Sequence, residues 1–129
     1  MPKELKPKPD GYKAIIFIDR LPPSLNTILR MHWTARRKLQ KAFDNQVLNS
    51  WICLHKFVFI NPVRITYSLY FPTPRVRDFD NYQGGTKFIT DALKKTFLFR
   101  DDSEWIKNIS VNFLQGRQQT RIVIEEVQE

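Results

Sequence analysis

The sequence predicts a single α+β domain: a mixed sheet of about four strands carrying two main helices, in the order β-α-β-α-β-β. Three observations predict it. A length of 129 residues suits one domain better than two. Val63, Ile65, Tyr67, Leu69 and Phe71 alternate with Arg64, Thr66, Ser68 and Tyr70, which is the period of a strand with one face in a core. Leu39, Phe43, Val47, Trp51 and Leu54 recur at helical spacing instead, so one apolar stripe runs along a helix.

The remaining elements follow in chain order. Residues 1–11 are Lys- and Pro-rich and read as a flexible basic tail, leaving 12–129 as the folded domain. Lys13–Asp19 is a short apolar run, expected to be a buried strand. Leu21–Asn26 (L-P-P-S-L-N) is expected to be a loop, because two successive prolines cannot serve a central ladder. Thr34 suits the N-cap of the long helix, which reaches about His55, and Pro62 marks the restart before the alternating strand. Pro72–Arg77 is a basic, proline-broken loop. A second helix ends near Lys95 and uses Phe88, Ile89, Ala92 and Leu93 as its apolar face. Gly84 and Gly85 would each cost about 1 kcal/mol inside it. The helix is therefore expected to start after them, with Thr86 as cap. The last third reads as a hairpin: Ile109, Val111 and Phe113 alternate, Gly116 turns, and Arg121–Val127 returns.

Composition narrows the function. Hydrophobic residues at 42% and aromatics at 13% exclude a disordered chain. No apolar run approaches the roughly 18 to 20 residues that cross a bilayer, and the N-terminus does not read as a secretory signal. The single cysteine, Cys53, allows no internal disulfide, so the default expectation is the cytoplasm. Its neighbours Trp51, Ile52 and Leu54 suggest a packed thiol rather than a nucleophile. A net charge of +8 favours a polyanionic partner, and nucleic acid is the commonest. Two histidines and one cysteine argue against a zinc cluster, and no phosphate-binding glycine motif is present.

Against that basic background the acids are concentrated. Of eight Asp, five fall between positions 78 and 102: Asp78, Asp80, Asp91, Asp101 and Asp102. Arg75, Arg77, Lys87, Lys94, Lys95 and Arg100 surround them. A protein that only binds phosphates gains nothing from carboxylates there. A nuclease needs both, cations for the DNA backbone and carboxylates for a hard metal ion. In an extended segment Asp78 and Asp80 would share one face, roughly 6.5 to 7 Å apart at the backbone. Taken alone, each Asp pair also reads as a solvated turn. Asp91 reads as a surface ion-pair partner of Lys94 or Lys95, and Lys87 as a solvated helix residue or as a cation beside a scissile phosphate.

R-D-F-D-N (Arg77–Asn81), K-F-I-T-D-A-L (Lys87–Leu93) and F-L-F-R-D-D (Phe97–Asp102), preceded by P-P-S-L-N (Pro22–Asn26), resemble the RusA family of Holliday junction resolvases. The resemblance spans nearly all of the chain after Tyr12. It implies that Asp78, Asp80 and Asp102 form the metal-binding catalytic set, with Lys87 as the catalytic lysine and Asp101 as an accessory. It also implies Mg²⁺, or Mn²⁺ in its place, and a homodimer that cuts opposed strands of a four-way DNA junction. Tyr82–Thr86 makes the interval before Lys87 longer than the family pattern. Arg36, Arg37, Lys41, Arg75 and Arg77 are the candidates for DNA-backbone contacts. The competing reading is a basic nucleic-acid-binding module without catalysis, which would have no need of the aspartates.

Overall fold

A computed structural model describes residues 6–73, 79–98 and 105–127, with backbone alone at 79 and 80. Strand β1 (Ala14–Ile18) leads to helix α1 (Leu25–Arg30) and the long α2 (Trp33–Cys53). Strand β2 (Val63–Phe71) follows, then a short α3 (Phe79–Gln83), a 3₁₀ turn (Gly84–Thr86) and α4 (Lys87–Lys94). Strands β3 (Ile106–Gln115) and β4 (Gln119–Glu126) complete a four-stranded mixed sheet in the order β1-β4-β2-β3. The α+β class and the order of the main elements are as the sequence predicts.

The core lies between one sheet face and helices α2 and α4. Phe43 and Val47 from α2, and Ile89, Ala92 and Leu93 from α4, are buried against Ile16, Ile65, Tyr67, Leu69, Ile122 and Ile124. The predicted α2 stripe is thus the buried one, with Leu39, Trp51 and Leu54 packed at its margin. The cap lies two residues before the expected Thr34: His32 is the N-cap, and its ring Nδ1 accepts from the Thr34 backbone N–H at 3.2 Å. It ends where His55 and Lys56 take left-handed backbone, at φ of 67° and 57°.

Three expectations are corrected. The apolar run at the N-terminus is an edge strand, not a fully buried one; Ala14, Ile16 and Ile18 face the core, whereas Ile15 and Phe17 are 48% and 55% exposed. The last third is not a hairpin. β3 and β4 flank β2, which pairs with β3 in parallel and with β4 antiparallel. β2 takes the centre because Val63, Ile65, Tyr67 and Leu69 are fully buried, and α4 supplies the crossover that a parallel pair requires. At Gly116 the chain passes the end of β2, where the glycine N–H donates to Phe71 O at 2.9 Å. Finally, Cys53 is exposed rather than packed, because it lies off the stripe of Phe43 and Val47.

Residues 6–8 of the basic N-terminal segment lie beside Val58. Lys8 N–H donates to Val58 O at 3.1 Å, and the Lys8 ammonium sits 2.7 Å from the Glu126 carboxylate. That contact, with a second hydrogen bond from Asn61, holds the Glu126 carboxyl below the usual carboxylate range.

A buried polar chain locks α4 onto the sheet. The Thr90 hydroxyl donates to Thr86 O at 3.1 Å and lies 2.6 Å from the Tyr67 phenol oxygen. Tyr67 is fully buried, and desolvation holds its phenol well above its ordinary range. Tyr67→Phe should cost about 1 kcal/mol, since Thr90 keeps its bond to Thr86 O and only one hydrogen bond is lost. Urea unfolding measures this; a loss above about 3 kcal/mol would show that the phenol supports more than this contact.

Candidate active site

The loop Pro22–Ser24 and the turn Gly84–Thr86 are about 60 residues apart in sequence and touch in the fold. A Cβ built on Gly85 would lie 1.9 Å from the Pro23 carbonyl oxygen and 3.3 Å from Pro22 Cβ. Only a residue without a side chain permits that approach. Beside it, Ser24 caps α1: its hydroxyl accepts from Thr27 N–H at 3.2 Å. The Asn26 N–H, a second unpaired donor of that first turn, is accepted by the Asn81 side-chain oxygen at 3.2 Å. The expected loop therefore stops at Ser24, and Leu25 and Asn26 open a helix.

These contacts bring P-P-S-L-N against the segment that carries D-F-D-N. They also overturn one geometric expectation. Phe79–Gln83 is helical, so Asp80 does not stand in extended backbone, and strand alternation cannot place Asp78 and Asp80 on one face. The helix is held by Asn81 on α1 and by Tyr82, whose ring is 5.3 Å from Phe71 and 5.7 Å from Phe113. The residues Tyr82–Thr86 that lengthen the interval before Lys87 complete α3 and form the 3₁₀ turn. Thr86 does not cap α4 with its side chain; the backbone there is already helical, and the hydroxyl donates back to Gln83 O at 2.6 Å.

Lys87, the first residue of α4, is exposed and lines a cleft of about 350 Å³ with Ile28, Arg36, Arg37, Gln40, Gly84, Phe88 and Asp91. Its walls are braced. Arg36 donates to Ile28 O at 2.8 Å, tying α2 to α1. Gln40 donates to Phe88 O at 2.8 Å and to Asp44 at 2.9 Å, tying α2 to α4. Lys95 pairs with Asp44 across the helices at 2.6 Å, not with Asp91 as the helical spacing suggests. Lys41 lies in an adjoining depression with Arg37, Lys38 and Asp44. Three predicted residues, Arg36, Arg37 and Lys87, thus meet at one cleft, with Lys41 next to it.

Asp78, Asp101, Asp102, Arg75 and Arg77 lie outside the described residues, as does the side chain of Asp80. The described residues that flank the two aspartate segments stand at opposite ends of β2. Tyr82 packs on Phe71 at one end, and Trp105 O accepts from Val63 N–H at 2.9 Å at the other. Among the described residues, no three His, Cys, Asp or Glu come together to hold a cation. The carboxylates that the resemblance assigns to that role are the oxygen donors that Mg²⁺ takes.

Sequence reasoning missed Trp33, which is 59% exposed at the start of α2, with the Arg37 guanidinium 5.5 Å from its ring centre. A signal was present. Trp33 stands six positions before Leu39, so at about 100° per residue it lies off the apolar stripe. Among the described residues no helix is long and apolar enough to cross a membrane. No protein-family model matches the chain, and no curated protein matches it in sequence.

Proposed function

We propose that the protein is a Mg²⁺-dependent endodeoxyribonuclease of the RusA type that resolves four-way DNA junctions in the cytoplasm. The observation that carries this reading is the docking of Pro22–Asn26 on Asn81 and Gly85 beside a cleft lined by Arg36, Arg37 and Lys87. Segments that resemble one family's motifs, far apart in sequence, are neighbours next to a basic surface.

In this proposal Asp78, Asp80 and Asp102 hold the cation, with Asp101 as an accessory. A bound Mg²⁺ supplies Lewis acidity toward the phosphate and lowers the pKa of a coordinated water. Lys87, which lines the cleft, stabilises negative charge that develops on the phosphoryl oxygens. Arg36, Arg37, Lys41, Arg75 and Arg77 position the DNA backbone without reading its sequence. The active form is a homodimer, since two opposed strands must be cut and twofold dimers are the commonest soluble oligomers. Each protomer carries one aspartate cluster, so the dimer presents one site to each of the two strands.

The test is incubation of purified protein with a labelled four-way junction, in Mg²⁺ and in EDTA. Cleavage in Mg²⁺ alone is expected. Junction binding with no cleavage in Mg²⁺ or Mn²⁺ would replace this reading with a non-catalytic binding module.

A further inference from the structure

We propose that the α1–α2 corner, centred on Trp33 and Arg37, is a stacking platform for an unpaired base of single-stranded nucleic acid. The proposal rests on the nucleic-acid reading above and names what this corner recognises.

Helix α1 buries none of its residues, and Leu29 is 69% exposed. Trp33 follows four residues later, also exposed. Neither side chain contributes to the core, so the corner is an apolar surface that packing does not explain. Its charge identifies the partner. From Arg20 to Phe43 the chain carries six Lys and Arg and no Asp or Glu. An apolar protein partner would not require so one-sided a field, whereas a polynucleotide supplies both a ring to stack and phosphates to neutralise.

The geometry fits a base. The Arg37 guanidinium lies 5.5 Å from the Trp33 ring centre, within cation–π range, and holds the indole in place. The His32 ring stands 5.6 Å from it at 36°, fixed by its hydrogen bonds to Thr34. Arg37 also lines the cleft that contains Lys87. A strand whose base stacks on Trp33 therefore has its phosphates directed toward the cations of that cleft. A duplex keeps its bases paired and offers no free ring face, so the platform distinguishes unpaired positions.

The experiment measures binding in EDTA, apart from any cleavage. Fluorescence anisotropy compares a labelled oligo-dT strand with a labelled duplex, for the wild type, Trp33→Ala and Trp33→Phe. Trp33→Ala should weaken oligo-dT binding about tenfold and leave duplex binding nearly unchanged, with Trp33→Phe close to wild type. Oligo-dT should also quench wild-type indole emission, and Trp33→Phe should lose that quenching. Equal losses on strand and duplex, or no loss on either, would overturn the platform. So would a Trp33→Ala protein that binds normally but sediments at half the wild-type mass, since the corner would then be a protein contact. If the strand is bound through Trp33 but no junction is cut in Mg²⁺, the platform stands and the nuclease reading fails.

Discussion

Replacing Asp80 by Asn is expected to abolish Mg²⁺-dependent junction cleavage, by at least about a hundredfold, while junction binding persists. Under the proposal Asp80 supplies one of few carboxylate donors, and the amide has no negative charge to offer the cation. The same change removes negative charge near the DNA phosphates, so affinity should hold or rise. The backbone at Asp80 belongs to α3, which Asn81 and Tyr82 anchor to α1 and to the sheet. Paired assays measure both quantities, cleavage in Mg²⁺ and gel-shift affinity in EDTA. Retained cleavage would remove Asp80 from the catalytic set.

Gly85→Ala should produce the second large effect. Its Cβ would fall 1.9 Å from the Pro23 carbonyl oxygen, a backbone atom that cannot swing aside. Relief requires that the Pro22–Ser24 loop and the turn before α4 move apart. The cost is expected at about 3 kcal/mol, or roughly 10 °C in melting temperature. Cleavage should fall even where the variant remains folded, because the same contact sets the position of α4 and therefore of Lys87. Gly84→Ala is the control. Among the described residues its Cβ would meet only Leu25 Cδ1 at 3.6 Å, an ordinary contact, so stability should change little. Thermal melts of both variants decide the matter, and equal losses would contradict the close-approach argument.

These two residues also mark how far the sequence could be read. Alternation of Val63 through Phe71 identified β2, because that pattern reflects a face pressed against helices all along its length. The stripe Phe43 to Val47 identified α2 for the same reason. The pairing of β3 was not legible. Alternation reports which face is buried but not which strand lies alongside, and short separation favoured a hairpin that the central position of β2 displaces. Nor was the helical state of Asp80 legible. Asn81 and Tyr82 fix α3 through contacts with α1, β2 and β3, none of them local in sequence. At the site, Arg36, Arg37 and Lys87 were named by charge and motif, and they converge on one cleft because Gln40 and Arg36 brace its walls. The approach of Gly85 to Pro23 could not be anticipated, since a glycine pair reads first as a helix break.

The central claim is tested most directly on a plasmid that extrudes a cruciform, incubated with the protein in Mg²⁺. A resolvase homodimer cuts opposed strands within one binding event, because the first cut relaxes the cruciform before a second encounter can occur. Linear DNA is therefore predicted as the product, with no product in EDTA. Singly nicked circles alone, or unchanged plasmid in Mg²⁺ and Mn²⁺, would contradict it.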